Sequence, residues 1–414
     1  YGLGYMDWDV TIVGAGIAGL SAALRLKDAG LRTLVVDKGR QVGGRMATRR
    51  LQGCAFDTGA QFFTATSRAF AELIDEARGD GAVAEWYQRP PHGSHTAPLS
   101  VWRGFDGMTA LPKWIVARLK SGETVELSTG VRVTAVVDGA RSAGPAEGAR
   151  PAGPAGGAQA AGSAGGTQAA GVAGGAQFAG PAGGAQSAGP AGGARSAGPA
   201  GRYVLQMEDG STVRSRQVIL TPPVPQSLSL LSPDLRARVP DGLDELSYHP
   251  CIALLITLPE HPHAGLNDYG WVRPKHPDIA WIAENATKGI SSRETCDPEV
   301  AAVLTVHATP ERSQRLYDES DETVGAALCD ALSTLMPGAA GHFAAAMKSG
   351  AWQVKRWRYA QPREIWGAHS VEITKGLFLA GDIFVSPRVE GAFTSGHHAA
   401  GQAIAQMGTT RSGQ

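Results

Sequence analysis

The stretch Asp9–Gly39, DVTIVGAGIAGLSAALRLKDAGLRTLVVDKG, decides the fold. It reads as strand, tight turn, helix, strand. Val10–Val13 is a short apolar run, as in a strand buried on both faces. Gly14, Gly16 and Gly19 form GxGxxG at the junction of strand and helix. The first glycine permits a sharp turn. The second lets the backbone approach a diphosphate, and the third lets helix and strand pack closely. Leu20, Ala23, Leu24 and Leu26 give the helix an apolar face, and Gly30 ends it. Leu34–Val36 is the second strand, closed by Asp37, an acid placed to accept from a ribose hydroxyl.

Working outward, KGRQVGGRMATRR (Lys38–Arg50) and FDTGAQFF (Phe56–Phe63) follow. An NAD dehydrogenase would run into another helix and strand here. A second turn at Gly43-Gly44, followed by Arg45, instead offers further backbone donors and a guanidinium to a diphosphate, which directs the reading to FAD. Arg49 and Arg50 are open to two roles, steering an anionic substrate or plain solvation. At the other end, Leu377–Ala380 reads as a buried strand ending in Gly381-Asp382. Glu390-Gly391-Ala392 then opens an apolar helix through about Met407. A helix N-terminus carries free N–H groups and partial positive charge, suited to the edge of a reduced flavin.

These motifs resemble a known group. GGR just after the ribose acid is the hallmark of the FAD-dependent amine oxidase superfamily. GGRMATRR with DTGAQFF resembles more narrowly the renalase-like NAD/FAD-dependent oxidoreductases. VILTPPVPQ (Val218–Gln226), YHPCIALL (Tyr248–Leu255), WIAENATKG (Trp281–Gly289), KRWRYAQP (Lys355–Pro362) and LFLAGDIFVSPRVEGAFTSGHHAA (Leu377–Ala400) look like later segments of the same family. One departure stands out: TKGIS (Thr287–Ser291) replaces the family's Lys-Pro-Gly-Arg turn, so the substrate pocket is expected to differ.

The resemblance implies an α/β fold, a Rossmann-like FAD domain with an α+β substrate domain. Cofactor contacts are expected from Gly14, Gly16, Ile17, Ala18, Gly19, Asp37, Lys38, Gly43, Gly44, Arg45, Met46, Gly59, Ala60, Gln61, Val133, Gly381, Asp382, Glu390, Gly391 and Ala392. Pocket candidates are Gln61, His249, Trp281, Asn285, Lys288 and Trp357, with no acid–base dyad identified. His397 and His398 read as packing or solvated residues of the closing helix. The FAD domain is expected over 6–64, 104–140, 201–225 and 365–406. The substrate domain takes 65–103 and 226–364.

The implied activity is hydride removal from a small substrate with O₂ as acceptor, the substrate being a misreduced NAD(P)H isomer. An amine or a biosynthetic intermediate, taken by an amine oxidase or desaturase, is the alternative. A non-redox FAD-fold binding protein is the alternative of another class. The intact glycine turn, Asp37, Arg45 and Gly381-Asp382 argue against it.

Composition sets the remaining bounds. The 414 residues are 43% hydrophobic and 18% charged, a globular balance long enough for two domains. Lys+Arg and Asp+Glu are equal at 38, which leaves no electrostatic footprint for nucleic acid or an anionic membrane. Cys54, Cys251, Cys296 and Cys329 are scattered without a CxxC pair. That spacing suggests neither zinc nor disulfides and points to a reducing, cytoplasmic setting with noncovalent FAD. No apolar run is long enough to span a membrane and no signal peptide is recognisable, Met6 reading as the start of the fold after Tyr1–Tyr5. From 141 to 201 the chain is almost only Ala, Gly, Pro, Ser, Gln and Arg, with a repeated unit AGPAGGAQS (Ala179–Ser187) and AGPAGGARS (Ala188–Ser196). Glycine does not fall at every third position, which excludes collagen, and too few side chains can be buried to offset ordering entropy. It is expected as a disordered insertion at the tip of a hairpin made by Val131–Gly139 and Arg202–Gly210.

Overall fold

The structure, a computed structural model, describes residues 7–90, 98–139, 202–262, 266–291 and 296–411, side chains of the last three excepted. The repeat insertion and the residues through Met6 lie outside them.

The chain opens with β1 (Trp8–Val13), α1 (Ile17–Asp28) and β2 (Thr33–Asp37). A hairpin follows, β3 (Thr48–Leu51) with β4 (Cys54–Asp57). Next come α2 (Arg68–Gly79), the antiparallel pair β5 (Val83–Arg89) and β6 (Leu99–Gly104), α3 (Ala110–Lys120) and β7 (Val125–Thr129). β8 (Val133–Asp138), β9 (Tyr203–Met207) and β10 (Thr212–Leu220) precede short helices α4 (Val224–Leu228) and α5 (Pro233–Arg236). A second run holds β11 (Tyr248–Leu258), β12 (Trp271–Val272), β13 (Ile279–Glu284) and β14 (Ala302–Ala308). It continues through α6 (Pro310–Leu316), α7 (Asp321–Leu335), α8 (Ala340–Ser349) and β15 (Trp352–Pro362). β16 (Val371–Thr374), β17 (Leu377–Leu379), α9 (Asp382–Val385) and α10 (Val389–Arg411) close the chain.

Two sheets carry the architecture. The first has the order β16-β17-β10-β1-β2-β7, with β9 on β10 and β8 on β9. β1 runs parallel to β2 and β10, β10 to β17 and β2 to β7. Val10, Ile12, Leu34, Val35 and Val36 are fully buried, as strands covered on both faces require. The expected hairpin forms: β8 pairs antiparallel with β9 and closes at Asp138–Tyr203. One face is covered by α1, α2, α3 and α10 through Leu20, Leu26, Phe70, Ile115 and Phe393. α10 crosses α1 so closely that a Cβ at Gly396 would stand 1.9 Å from the Ala18 carbonyl. His397 stacks on Phe393, and His398 Nδ1 lies 2.8 Å from Ser370 Oγ, so both histidines serve packing.

The second sheet is antiparallel, ordered β12-β13-β14-β11-β15. Ile252, Leu254, Ile256, Leu304 and Val306 point one way, into α7 and α8. The alternate residues Ala253, Leu255 and Val303 point the other way, onto Cys54 and Phe56 of β4. That second face also carries His307, which pairs with Ala253.

The disulfide expectation is overturned. Cys54 and Cys296 are bonded, with Cα atoms 4.5 Å apart across 242 residues of sequence. Sequence spacing could not show this, because the pairing is created by tertiary contacts: Ser291 Oγ donates to Ala55 O at 2.8 Å, and Asp297 N to Gln52 O at 3.1 Å. The cysteine argument for a reducing compartment loses its basis. Among the described residues, no helix is long and apolar enough to cross a membrane.

Candidate flavin site

The dinucleotide cradle is built where β1 meets α1. Gly14 has φ 105°, and its missing side chain leaves room for Thr221 Oγ1. A Cβ at Gly19 would fall 1.9 Å from Gly14 O, so helix and turn touch through hydrogen. A Cβ at Gly16 would meet nothing within 4 Å, and no side chain caps α1. Among the described residues no group outside the helix accepts from the first N–H groups, those of Ile17 and Ala18 included, as a helix start leaves them. A diphosphate fits that arrangement on charge and on room.

Asp37 ends β2 beside this turn. Its Oδ2 accepts from Ala15 N and its Oδ1 from Gly39 N, each at 2.6 Å. Both oxygens keep a further lone pair for a ribose hydroxyl. Lys38 is exposed. The second glycine turn packs directly on the first: Gly43 N donates to Ala15 O at 2.9 Å, and Gly43 and Gly44 both adopt positive φ. Gly59 lies against the Arg45 backbone, where a Cβ would sit 2.1 Å from Arg45 O, and Ala60 N donates to the same oxygen. Met46 is buried beneath.

Arg45 does not stand free. Its guanidinium makes a bidentate pair with Asp382 at 2.6 and 2.7 Å and donates to Ala360 O at 3.1 Å. Burial lowers its proton affinity, but the Asp382 charge and hydrogen bonds outweigh this and raise it. The pair ties the N-terminal turn to the C-terminal segment. Gly381 N donates to Ser395 Oγ of α10, and Gly391 lies so close to Ser386 that a Cβ would be 2.2 Å from its carbonyl. Ala392 is buried in the first turn of α10. The Glu390 carboxylate is engaged elsewhere, accepting from Thr66 N at 2.8 Å and Ser67 N at 2.5 Å and so holding the start of α2. Val133 is a buried core side chain of β8.

Across from the cradle, β14 and β15 present His307 and Trp357. Both reach one carbonyl: Trp357 Nε1 donates to Thr58 O at 2.9 Å, and His307 Nε2 lies 3.3 Å from it. Burial pushes His307 down to about 4, so the ring is neutral at neutral pH and Nε2–H donates. Gln61 donates to Asp57 O and Gly59 O, leaving its buried Oε1 without a partner. Lys355 lies 4.7 Å from the centre of the Trp357 ring. Its proton affinity is lowered by burial and by the neighbouring Arg49 charge.

The remaining pocket candidates divide. Trp281 is buried at 5% exposure and stacked on Trp271 at 4.7 Å. His249 is the second residue of β11, half-buried, opposite Gln361. Asn285 and Lys288 are fully buried in the wall. Asn285 donates to Val303 O and Thr305 Oγ1 at 3.0 Å. Lys288 Nζ pairs with Asp57 Oδ2 at 2.5 Å, both side chains at 0% exposure. Asp57, His307 and Thr58 are the site residues that sequence reasoning missed. DTGAQ marked the segment but not what its acid would face.

A parallel sheet with a glycine-cradled helix, a ribose acid and a C-terminal clamp defines the class of dinucleotide-binding flavoenzymes. The family described as "Flavin containing amine oxidoreductase" matches residues 195–404, more than half of the chain, and an NAD(P)-binding Rossmann-like domain matches 12–77. The chain belongs to the flavin-containing amine oxidoreductases, whose members are FAD-dependent oxidoreductases. Among curated proteins it is similar to the "Probable flavin-containing monoamine oxidase A" of Dictyostelium discoideum, 39% identical over 17% of this chain and 15% of that one. The carotenoid 3,4-desaturase of Haloarcula japonica is 46% identical over 13% of this chain and 11% of that one. These matches span only a small share of each relative. Among solved structures, wild-type putrescine oxidase bound to putrescine covers 97% of this chain and 100% of its own, with TM-score 0.57 and 14% identity, a likeness of fold.

Proposed function

We propose that the chain is an FAD-dependent oxidase of a planar, anionic dihydronicotinamide-type donor, the misreduced NAD(P)H isomers to which the renalase resemblance points. NAD(P)⁺ and hydrogen peroxide would be the products, with O₂ as acceptor. The eight-stranded sheet would serve as the FAD domain and the five-stranded sheet as the substrate domain.

The observation that carries this reading is the charge balance of the wall. Asp57 is committed to Lys288 and Asp382 to Arg45. Glu284 accepts from the backbone N–H groups of Ala286, Thr287 and Val303. Lys355 and Arg49, by contrast, have no carboxylate partner among the described residues, and burial and then the Arg49 charge make Lys355 costlier to charge. A phosphate or carboxylate entering beside them relieves that repulsion, whereas an ammonium adds to it.

Bound FAD supplies the two-electron acceptor and the route to O₂. The chain supplies position. Trp357 is anchored through Nε1 to Thr58 O, with Lys355 over its ring. Gln61, donating to Asp57 O and Gly59 O, holds the turn that carries Thr58. Neutral His307 fixes the Thr58 carbonyl, and hydride loss from an electron-rich ring leaves no proton for a protein base to remove. Lys288 and Asn285 support this wall from behind.

An amine or desaturation substrate is the second reading, favoured by the names of the monoamine oxidase and carotenoid desaturase relatives. Anaerobic stopped-flow separates the two. Dihydronicotinamide isomers should bleach the flavin promptly and ordinary 4-dihydro NADH slowly. Oxidised flavin with the isomers, but reduction by a primary or secondary amine, would replace the first reading with the second.

A further inference from the structure

Four aromatic rings lie nearly parallel in a row that leads from the wall to the surface. Trp281 stacks on Trp271 at 4.7 Å and 12°, Trp271 on Tyr87 at 6.0 Å and 27°, and Tyr87 on Tyr269 at 4.6 Å and 22°. The inner end, Trp281, stands opposite His307 across β13 and β14. The outer end, Tyr269, is 44% exposed although its ring packs on Tyr87. Aromatic pairs in cores include many tilted and edge-on arrangements, as Phe62 does here against Trp281 at 43°. A parallel row ending in water is the geometry on which nucleobases stack.

The outer ring is built into place, and cations flank the row. Asn267 Oδ1 accepts from Tyr269 N at 3.0 Å and Trp271 N at 3.2 Å, with Gly270 between them at positive φ. Arg273 lies over Trp281 at 5.3 Å and Arg89 over Phe62 at 6.0 Å, both exposed.

We propose that this ladder is the subsite for the adenine end of a dinucleotide donor, with Arg273 and Arg89 drawing in its diphosphate. The inference rests on the dihydronicotinamide reading for what occupies the inner site, but the ladder is tested without turnover.

The probe is ADP-ribose, titrated into flavin-loaded protein so that FAD already fills the dinucleotide cradle, with tryptophan fluorescence as readout. Wild type should show saturable quenching. Tyr269→Ala should weaken it roughly tenfold, the order expected for removing one stacking ring. Tyr269→Phe should restore it. In steady state, Tyr269→Ala should raise KM for the dinucleotide donor, leave kcat alone, and leave the mononucleotide donor unaffected. Absent quenching, or equal affinity in wild type and Tyr269→Ala, overturns the proposal, as does an equal KM change for both donors. Tyr269-dependent binding of ADP-ribose without flavin reduction by any isomer keeps the ladder as a nucleotide site and overturns the oxidase reading instead.

Discussion

Replacing Asp57 by Asn tests the buried ion pair at the centre of the wall. Asn keeps the shape and one acceptor oxygen, so Thr48 Oγ1 and Met108 N, both 2.7 Å from Asp57 Oδ1, retain a partner. Lys288 loses its counter-charge and is left with the Trp86 ring at 5.3 Å and the repulsion of Arg103. Stranding one partner of a fully buried pair costs about 3–5 kcal/mol. The sign of the pH dependence follows from Lys288. Burial lowers its folded proton affinity below the usual lysine value and Asp57 opposes this, so the Asn variant should lower it further. Unfolded chains then bind the proton that folded chains release, and stability must rise with pH, by up to about 1.4 kcal/mol per unit, between the folded pKa and about 10.4. Equilibrium denaturation from neutral to mildly alkaline pH reads this directly. Wild type should show the same sign with a shallower slope. The double variant Asp57→Asn/Lys288→Met should recover much of the loss, since an apolar pair can replace a buried ionic one. A loss under about 1 kcal/mol for Asp57→Asn, or a stability that falls as pH rises, would refute the reasoning.

Two further outcomes follow from the cradle and the hairpin. Gly16→Ala should fold normally but hold FAD at least about tenfold more weakly, because its Cβ enters the space left for the diphosphate. Gly19→Ala should instead destabilise the fold by about 1–3 kcal/mol through the clash with Gly14 O; flavin content and Tm measured together separate the two. Deleting Ser142–Ala200 and joining the hairpin by a short glycine turn should leave an equimolar, heat-releasable FAD content unchanged, because Gly139 N already donates to Arg202 O at 2.6 Å. Loss of soluble yellow protein would assign the insertion a role of its own.

The parts of the fold that sequence disclosed are those where backbone chemistry dictates residue type. Only glycine serves at Gly14 and Gly43, and an acid at the end of β2 can meet the two N–H groups that Asp37 meets. Such needs are local and leave a local signature. What stayed hidden depends on register between distant segments. Asn285 and Lys288 have the chemistry of ligand contacts, yet both are buried, and Lys288 is matched to an acid 231 residues away. His307 carried no motif: its role arises because β14 and β15 flank β11 and bring it beside Trp357 and Thr58. Glu390 sits at a helix start, as a flavin contact would, but another helix claims its carboxylate.

The bond between Cys54 and Cys296 closes a ring of polypeptide that contains the whole Ala/Gly/Pro repeat. As a covalent graph, the protein therefore survives a break anywhere in that repeat. A protease cut there would leave two chains that migrate as one species until a thiol is added. Whatever cleavage the repeat undergoes, the halves bearing the glycine cradle and the C-terminal clamp would still be delivered together.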